Sequence, residues 1–324
     1  MMKWNRIQTF SVLLITGLFC LIAQAASLNS TDIPAGSNWY VHVNLDLIQN
    51  SEAGRKLMLE TVDEALGDIE QELGLDIREE VQGITVFGVK LPTDGNPAKE
   101  GAVILHGGIS TQTQAALLAK LESKGAEVST LTSAGMDYYR VQDRDESTTP
   151  SDGDSQVDSG SWDHHEGLYF AFGSTQSMIT KSQEMMLSFL EGGGYLGGFE
   201  AVDSEALLIL EADRALIQGG ANTSDETGGH WDSSVLKNVD AVALVIAEDF
   251  GGLQIKAQLM ANSADVAMSV RNIVEGMVAL KALDESEGVM GEILRQVRFE
   301  SDGSVLRMNV PIAAEQIEAV REHL

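Results

Sequence analysis

Two histidines stand where an imidazole pair could form. Along Trp39–Asp46 the residue types alternate, with Trp39, Val41, Val43 and Leu45 on one side and Tyr40, His42, Asn44 and Asp46 on the other. In Ala102–His106, Ile104 and His106 fall on the side away from Val103 and Leu105. Period-two alternation marks a half-buried strand. If these first and third strands are neighbours, as in a split β-α-β arrangement, His42 and His106 emerge on one sheet face with Asp46 nearby. Two neutral imidazoles and a carboxylate could then hold a metal ion or a small ligand. The competing reading is two polar side chains on an exposed or loosely covered face.

A second candidate is acidic. The stretch Asp143–Glu166 carries Asp143, Asp145, Glu146, Asp152, Asp154, Asp158, Asp163 and Glu166 among Ser, Thr and Gly. It has almost nothing apolar to bury and is expected to be a disordered, solvated insert. Asp152, Asp154 and Asp158 are the carboxylates that could bind Ca²⁺ through oxygen. The calcium-loop pattern D-x-[DN]-x-[DN]-G with a distal Glu is absent. In Trp162-Asp163-His164-His165-Glu166 the two histidines are adjacent, and adjacent side chains of an extended segment point apart, so they do not share an ion. His230-Trp231-Asp232 is read as a coincidental echo of it.

The nucleophile and phosphate motifs fail. There is no G-x-S-x-G elbow. Ser234-Val235-Leu236-Lys237 matches S-x-x-K, but its Ser-Asp-Asn and Lys-Thr-Gly companions are missing. Gly192-Gly193-Gly194-Tyr195-Leu196-Gly197-Gly198 lacks the G-K-[ST] ending of a phosphate loop and reads as a hinge. Met178, Met185 and Met186 read as core, with a soft partner groove as the alternative. No catalytic residue and no cofactor-binding residue is assigned, and no cofactor is expected beyond the Ca²⁺ alternative.

Charge narrows the partners. The 324 residues include 21 Lys plus Arg and 49 Asp plus Glu, a formal net charge of -28. Such a chain repels phosphate backbones, so nucleic acid is not an expected partner. One Cys excludes a disulfide framework and a cysteine-rich zinc module. The N-terminus supplies an address. Lys3 and Arg6 precede an apolar run, Phe10–Ala23, that ends in Ala23-Gln24-Ala25 followed by Ala26. This is the pattern of a secretory signal peptide over residues 1–25, cut between Ala25 and Ala26. Phe19 before Cys20 argues against lipoprotein processing. Removal takes two cations and no acids, leaving 19 basic against 49 acidic residues and a net charge of -30. No later segment reads as a membrane span, and the expected location is periplasmic or secreted.

The elements that must position these residues read as one plan written twice. After the first strand, Ser51 opens a helix with Met58, Val62, Ala65, Leu66, Ile69 and Leu73 on one stripe. Strands are expected over 83–91, 102–106, 138–141 and 168–172. One helix is expected over 110–124, and another opens at Ser174-Thr175-Gln176 and runs to Leu190. The second half gives strands over 206–211, 239–247 and 253–259 and a helix capped by Ser263. A hairpin about Asp302-Gly303 and a last helix over 313–321 close it. The expected fold class is therefore α+β, with two tandem β-α-β-β-α-β-β-α units forming antiparallel sheets with helices on one face. The units span 26–191, with the insert at 143–166, and 201–324, joined by a Gly-rich linker at 192–200.

The opening Ile33-Pro34-Ala35-Gly36 into Trp39–Leu45 is similar to that of a group of uncharacterised secreted bacterial envelope proteins. So are Leu168-Tyr169-Phe170-Ala171-Phe172-Gly173-Ser174 and the closing hairpin with its terminal helix. The resemblance covers most of the chain as a pattern, and it implies a duplicated α+β envelope protein without bringing active-site residues. The expected function is that of an exported, non-catalytic protein binding an envelope protein or a ligand. The alternatives are an enzyme with its site where the repeats meet, and an acidic protein that responds to divalent cations.

Overall fold

The computed structural model describes residues 28, 33, 37–58, 67, 70, 78–89, 101–143, 167–192, 206–214, 217, 236–284 and 288–321. Their strands are β1 (Trp39–Asn44), β2 (Gly83–Gly88), β3 (Gly101–His106), β4 (Ala126–Ser133), β5 (Met136–Asp143), β6 (Leu168–Phe172) and β7 (Gln176–Thr180). The later strands are β8 (Ala206–Asp213), β9 (Val239–Asp249), β10 (Gly252–Ala261), β11 (Arg298–Asp302) and β12 (Val305–Ile312). The helices are α1 (Leu45–Asn50), α2 (Thr111–Ser123), α3 (Gln183–Leu190), α4 (Ala264–Asp284), α5 (Val289–Gln296) and α6 (Ile317–Arg321).

All 12 strands lie in one antiparallel sheet, in the order β11-β12-β10-β9-β8-β1-β2-β3-β7-β6-β5-β4. The fold is mixed α+β, and β1 is a central strand. It pairs with β2 on one side and with β8 on the other, Tyr40 opposite Phe87 and Glu211. The two halves of the chain therefore share one sheet. The β1-β2-β3 run is a meander, so the first and third strands are not neighbours as in a split β-α-β arrangement. Antiparallel strands consecutive in the chain commonly pair in sequence order, as β1, β2 and β3 do.

Other expectations are corrected locally. The helix read from Ser174 is instead β7, paired with β3 and β6. The helix start comes later, where the Ser182 hydroxyl accepts from the Met185 amide at 3.2 Å. The strand read at 138–141 is the middle of β5, and β4 beside it was not foreseen. The first strand stops at Asn44, whose side-chain oxygen accepts from the Leu47 amide at 2.7 Å and starts α1. A side-chain acceptor at that position satisfies an otherwise orphaned helical amide. Ser51 caps as expected, its hydroxyl accepting from Gly54 N at 2.8 Å above the helical segment 52–58. The 143–166 insert beyond Asp143, the 192–200 linker beyond Gly192 and the cleavage site at Ala25 and Ala26 lie outside the described residues.

Helices cover both faces of the sheet, not one. Tyr40, Phe87, Ala102, Ile104, Met178, Tyr138 and Ala171 pack with Met186 and Leu190 of α3. On the opposite face Val43, Leu253 and Ile312 pack with Ile48, Ile293 and Ile317 of α1, α5 and α6. Phe170 and Val141 there meet Leu121 of α2. Each Val, Leu, Ile, Phe or Met among them contributes roughly 1.5–3 kcal/mol when fully buried. Helix α4 is apolar on two sides. It buries Ala267, Val270 and Ala282. It also exposes Ile273, Met277, Leu280 and Leu283 by 48, 49, 70 and 73%. Among the described residues no helix is long and apolar enough to cross a membrane.

Candidate functional site

The central strands carry a buried polar set. His42 on β1, Thr85 on β2 and His106 on β3 share the face that carries Tyr40 and Phe87. His42 pairs with Thr85 in the ladder, Thr85 pairs with Ile104, and His106 lies two residues further along β3. The expectation that the two imidazoles share a face holds, although β2 stands between their strands. The Thr85 hydroxyl oxygen bridges them, 2.9 Å from His42 Nδ1 and 2.7 Å from His106 Nε2. The rings meet edge to face with centroids 5.2 Å apart. His42 is 1% exposed, while Thr85 and His106 are wholly buried.

A hydroxyl has one hydrogen to give. Thr85 can donate to one imidazole only, and the other ring must donate its N–H to Thr85 Oγ1. The tautomers of the two rings are coupled through this one oxygen. Burial, reinforced by the neighbouring His106, lowers the His42 pKa from 6.5 to about 3, so His42 is neutral at ordinary pH. Its Nε2 is buried without a hydrogen-bond partner among the described residues.

A second buried pair lies on the same face. Tyr40 donates its hydroxyl hydrogen to Glu211 Oε2 at 2.9 Å, across the seam between β1 and β8. Glu211 is 4% exposed. A carboxylate taken out of water needs such partners, because an unpaired buried charge costs several kcal/mol or more. This pair ties the N-terminal half of the sheet to the C-terminal half.

A hydroxyl 2.7 Å from an imidazole has the spacing of an activated nucleophile. Here the hydroxyl is closed to solvent, so a substrate has no approach to it in this conformation. The arrangement is suited to holding strands in register and to exchanging one proton internally. Asp46, the third expected member, sits in the first turn of α1 and has left the strand alternation. Among the described residues no group of three or more His, Cys, Asp or Glu side chains converges on a metal position. Asp152, Asp154 and Asp158 lie outside the described residues.

Thr85, Tyr40 and Glu211 were not singled out in the sequence. The signal was present in the polar Thr85 within Gly83–Gly88 and the lone carboxylate within Ala206–Ala212. A charge in a strand that is apolar on both faces must find a buried partner.

No family model matches the chain, and no curated protein matches it. Among solved structures it is similar to crystal forms I, III and IV of TP0453, each 12% identical. The TM-scores are 0.44, 0.44 and 0.45, over 91, 93 and 91% of this chain and 97, 100 and 96% of theirs. Likeness at that level says nothing of what this chain does.

Proposed function

We propose that this is an exported, non-catalytic binding protein of the bacterial envelope, periplasmic or secreted, that docks another protein. The observation that carries the reading is the outward stripe of α4, formed by Ile273, Met277, Leu280 and Leu283. Spaced at four, three and three residues, these side chains form one stripe along the helix, running beside the stripe that buries Ala267 and Val270. Contiguous exposed apolar surface on a soluble protein marks an interaction site, and a helix face of this kind fits a partner's apolar groove. The charge of -28 sets two copies of the chain against each other and favours a neutral or basic partner.

The positive start, short apolar run and Ala-x-Ala exit at residues 1–25 support export. The sheet order supports the further reading that the chain is a duplicated unit. In one half β1-β2-β3 leads through α2 to strands that return to place β7 beside β3. In the other, β8-β9-β10 leads through α4 and α5 to place β12 beside β10. The units differ in that α3 and α6 lie on opposite faces.

The test is a pull-down from cell envelopes with the mature protein and with Leu280→Glu. Position 280 being solvent-facing, the variant keeps the fold and its denaturation midpoint. A protein retained by the wild type and lost with the variant supports the reading. Equal recovery by both would sink it. N-terminal sequencing of the purified protein, expected to start at Ala26, checks the export part.

A further inference from the structure

We propose that Phe250, at the tip of the β9–β10 hairpin, is an anchor that inserts into an apolar pocket rimmed by Lys or Arg on a partner protein. The proposal rests on the reading of the chain as a binding protein, but it uses a surface other than α4.

Asp249 and Gly252 are the last paired residues of the hairpin, so Phe250 and Gly251 alone make the turn. Both have positive φ, 47° and 81°. A two-residue turn of this kind favours Asn or Asp followed by Gly. A bulky aromatic in the left-handed region is an outlier, and strained residues at loop tips concentrate where a protein engages something else. The Phe250 ring gains nothing from the fold in return, because it is entirely exposed. Local stability would be better served by a short polar side chain.

The turn is also pinned. A Cβ on Gly252 would stand 2.4 Å from the Ile312 carbonyl oxygen, so β12 closes directly on the hairpin base. The ring is thus displayed from a fixed backbone and loses little freedom on binding, which is what makes rigid aromatics effective anchors. Charge identifies the complement. Asp249 beside the ring is exposed. Glu315 is exposed too and directly follows Ala313 and Ala314, whose backbone lies against Gly252. Acids around an apolar tip disfavour an anionic bilayer and suit a pocket with a basic rim. A central aromatic in a pocket within a polar rim is the usual form of an energetic hot spot.

The test places photoreactive benzoylphenylalanine at position 250 of the full chain in living cells. Control positions are 134, in a turn of the same geometry elsewhere in the molecule, and 280, on α4. A discrete protein adduct at 250 and none at 134 is expected, with the crosslinked peptide apolar and flanked by Lys or Arg. Adduct yield should fall several-fold when salt is raised from about 0.05 to about 0.5 M. Phe250→Asn should weaken binding of the adduct partner by roughly thirtyfold while leaving the denaturation midpoint unchanged or raised. Adducts to lipid, to a second copy of this chain or to an acidic surface would overturn the proposal, as would no adduct at 250. An adduct at 280 without one at 250 would leave the α4 reading standing and remove this one.

Discussion

Thr85 offers one hydroxyl to two imidazoles, and the consequences can be measured. Thr85→Val keeps the shape but leaves His42 Nδ1 and His106 Nε2 without the oxygen they share. The expected loss is about 1–3 kcal/mol of unfolding free energy. Thr85→Ser keeps the oxygen and should cost about 1 kcal/mol for the missing methyl. A Thr85→Val variant as stable as the wild type, read by urea denaturation, would show that the hydroxyl contributes nothing. The pH dependence follows from His42. Its folded pKa of about 3 lies below the 6.5 of the free side chain, so the unfolded chain takes up the proton first. The stability contribution is complete above about pH 6.5 and is lost as pH falls from there toward 3, at roughly 1.4 kcal/mol per unit. The chain's many carboxylates titrate over part of the same range, so the quantity to follow is wild type minus His42→Leu. Between pH 7.5 and pH 5 that difference should fall by about 2 kcal/mol. A flat difference would mean that the ring is protonated in the fold. The same-face placement of His42 and His106 was legible in two short alternating runs. The bridging residue was not, because alternation gives a strand's faces but not the order of strands in a sheet.

Among the elements, those with strong periodicity were the readable ones. β1, β3, β6, β8, β9, β10 and the closing hairpin each alternate or form a short apolar run between turn residues. β7 was misread because Ser174-Thr175-Gln176 resembles a helix cap and runs directly into Met178 and Ile179, while the true cap, Ser182, lies further on. β4 was missed because it is an edge strand. Ala126–Ser133 pairs on one side only and carries Ser and Thr where a central strand carries aliphatics. It has few features that alternation can detect, since its inner contacts come from β5 and α2. The β4–β5 turn carries a correctable flaw. Ala134 has φ 51°, followed by Gly135 at φ 77°. Ala134→Asn would supply the Asn-Gly pair that such a turn favours and should stabilise the fold by roughly 0.5–1 kcal/mol. The check is the thermal midpoint, expected to rise by about 2 °C. A fall would mean that the turn has another geometry in solution.

Across the whole molecule, the seam between β1 and β8 decides how the protein holds together. Strands from both halves meet there in continuous register, and Tyr40 and Glu211 bond across it over 171 residues of chain. Two units joined only by a hinge would unfold separately. One sheet with a buried polar tie at its centre should unfold in one step, with calorimetric and van't Hoff enthalpies equal. Two resolved transitions would show the seam to be weak. Composition and element order made the α+β class legible but not the joining of the halves, because pairing between residues so far apart leaves no local pattern. There is a further consequence for biogenesis. Every ribosome delivers β1 long before β8, so a strand buried in the middle of the finished sheet waits with one flank open. Non-local pairings of this kind close slowly and leave a nascent chain prone to wrong partners. Shielding that flank until residues 206–213 emerge is the task that falls to whatever escorts the growing polypeptide.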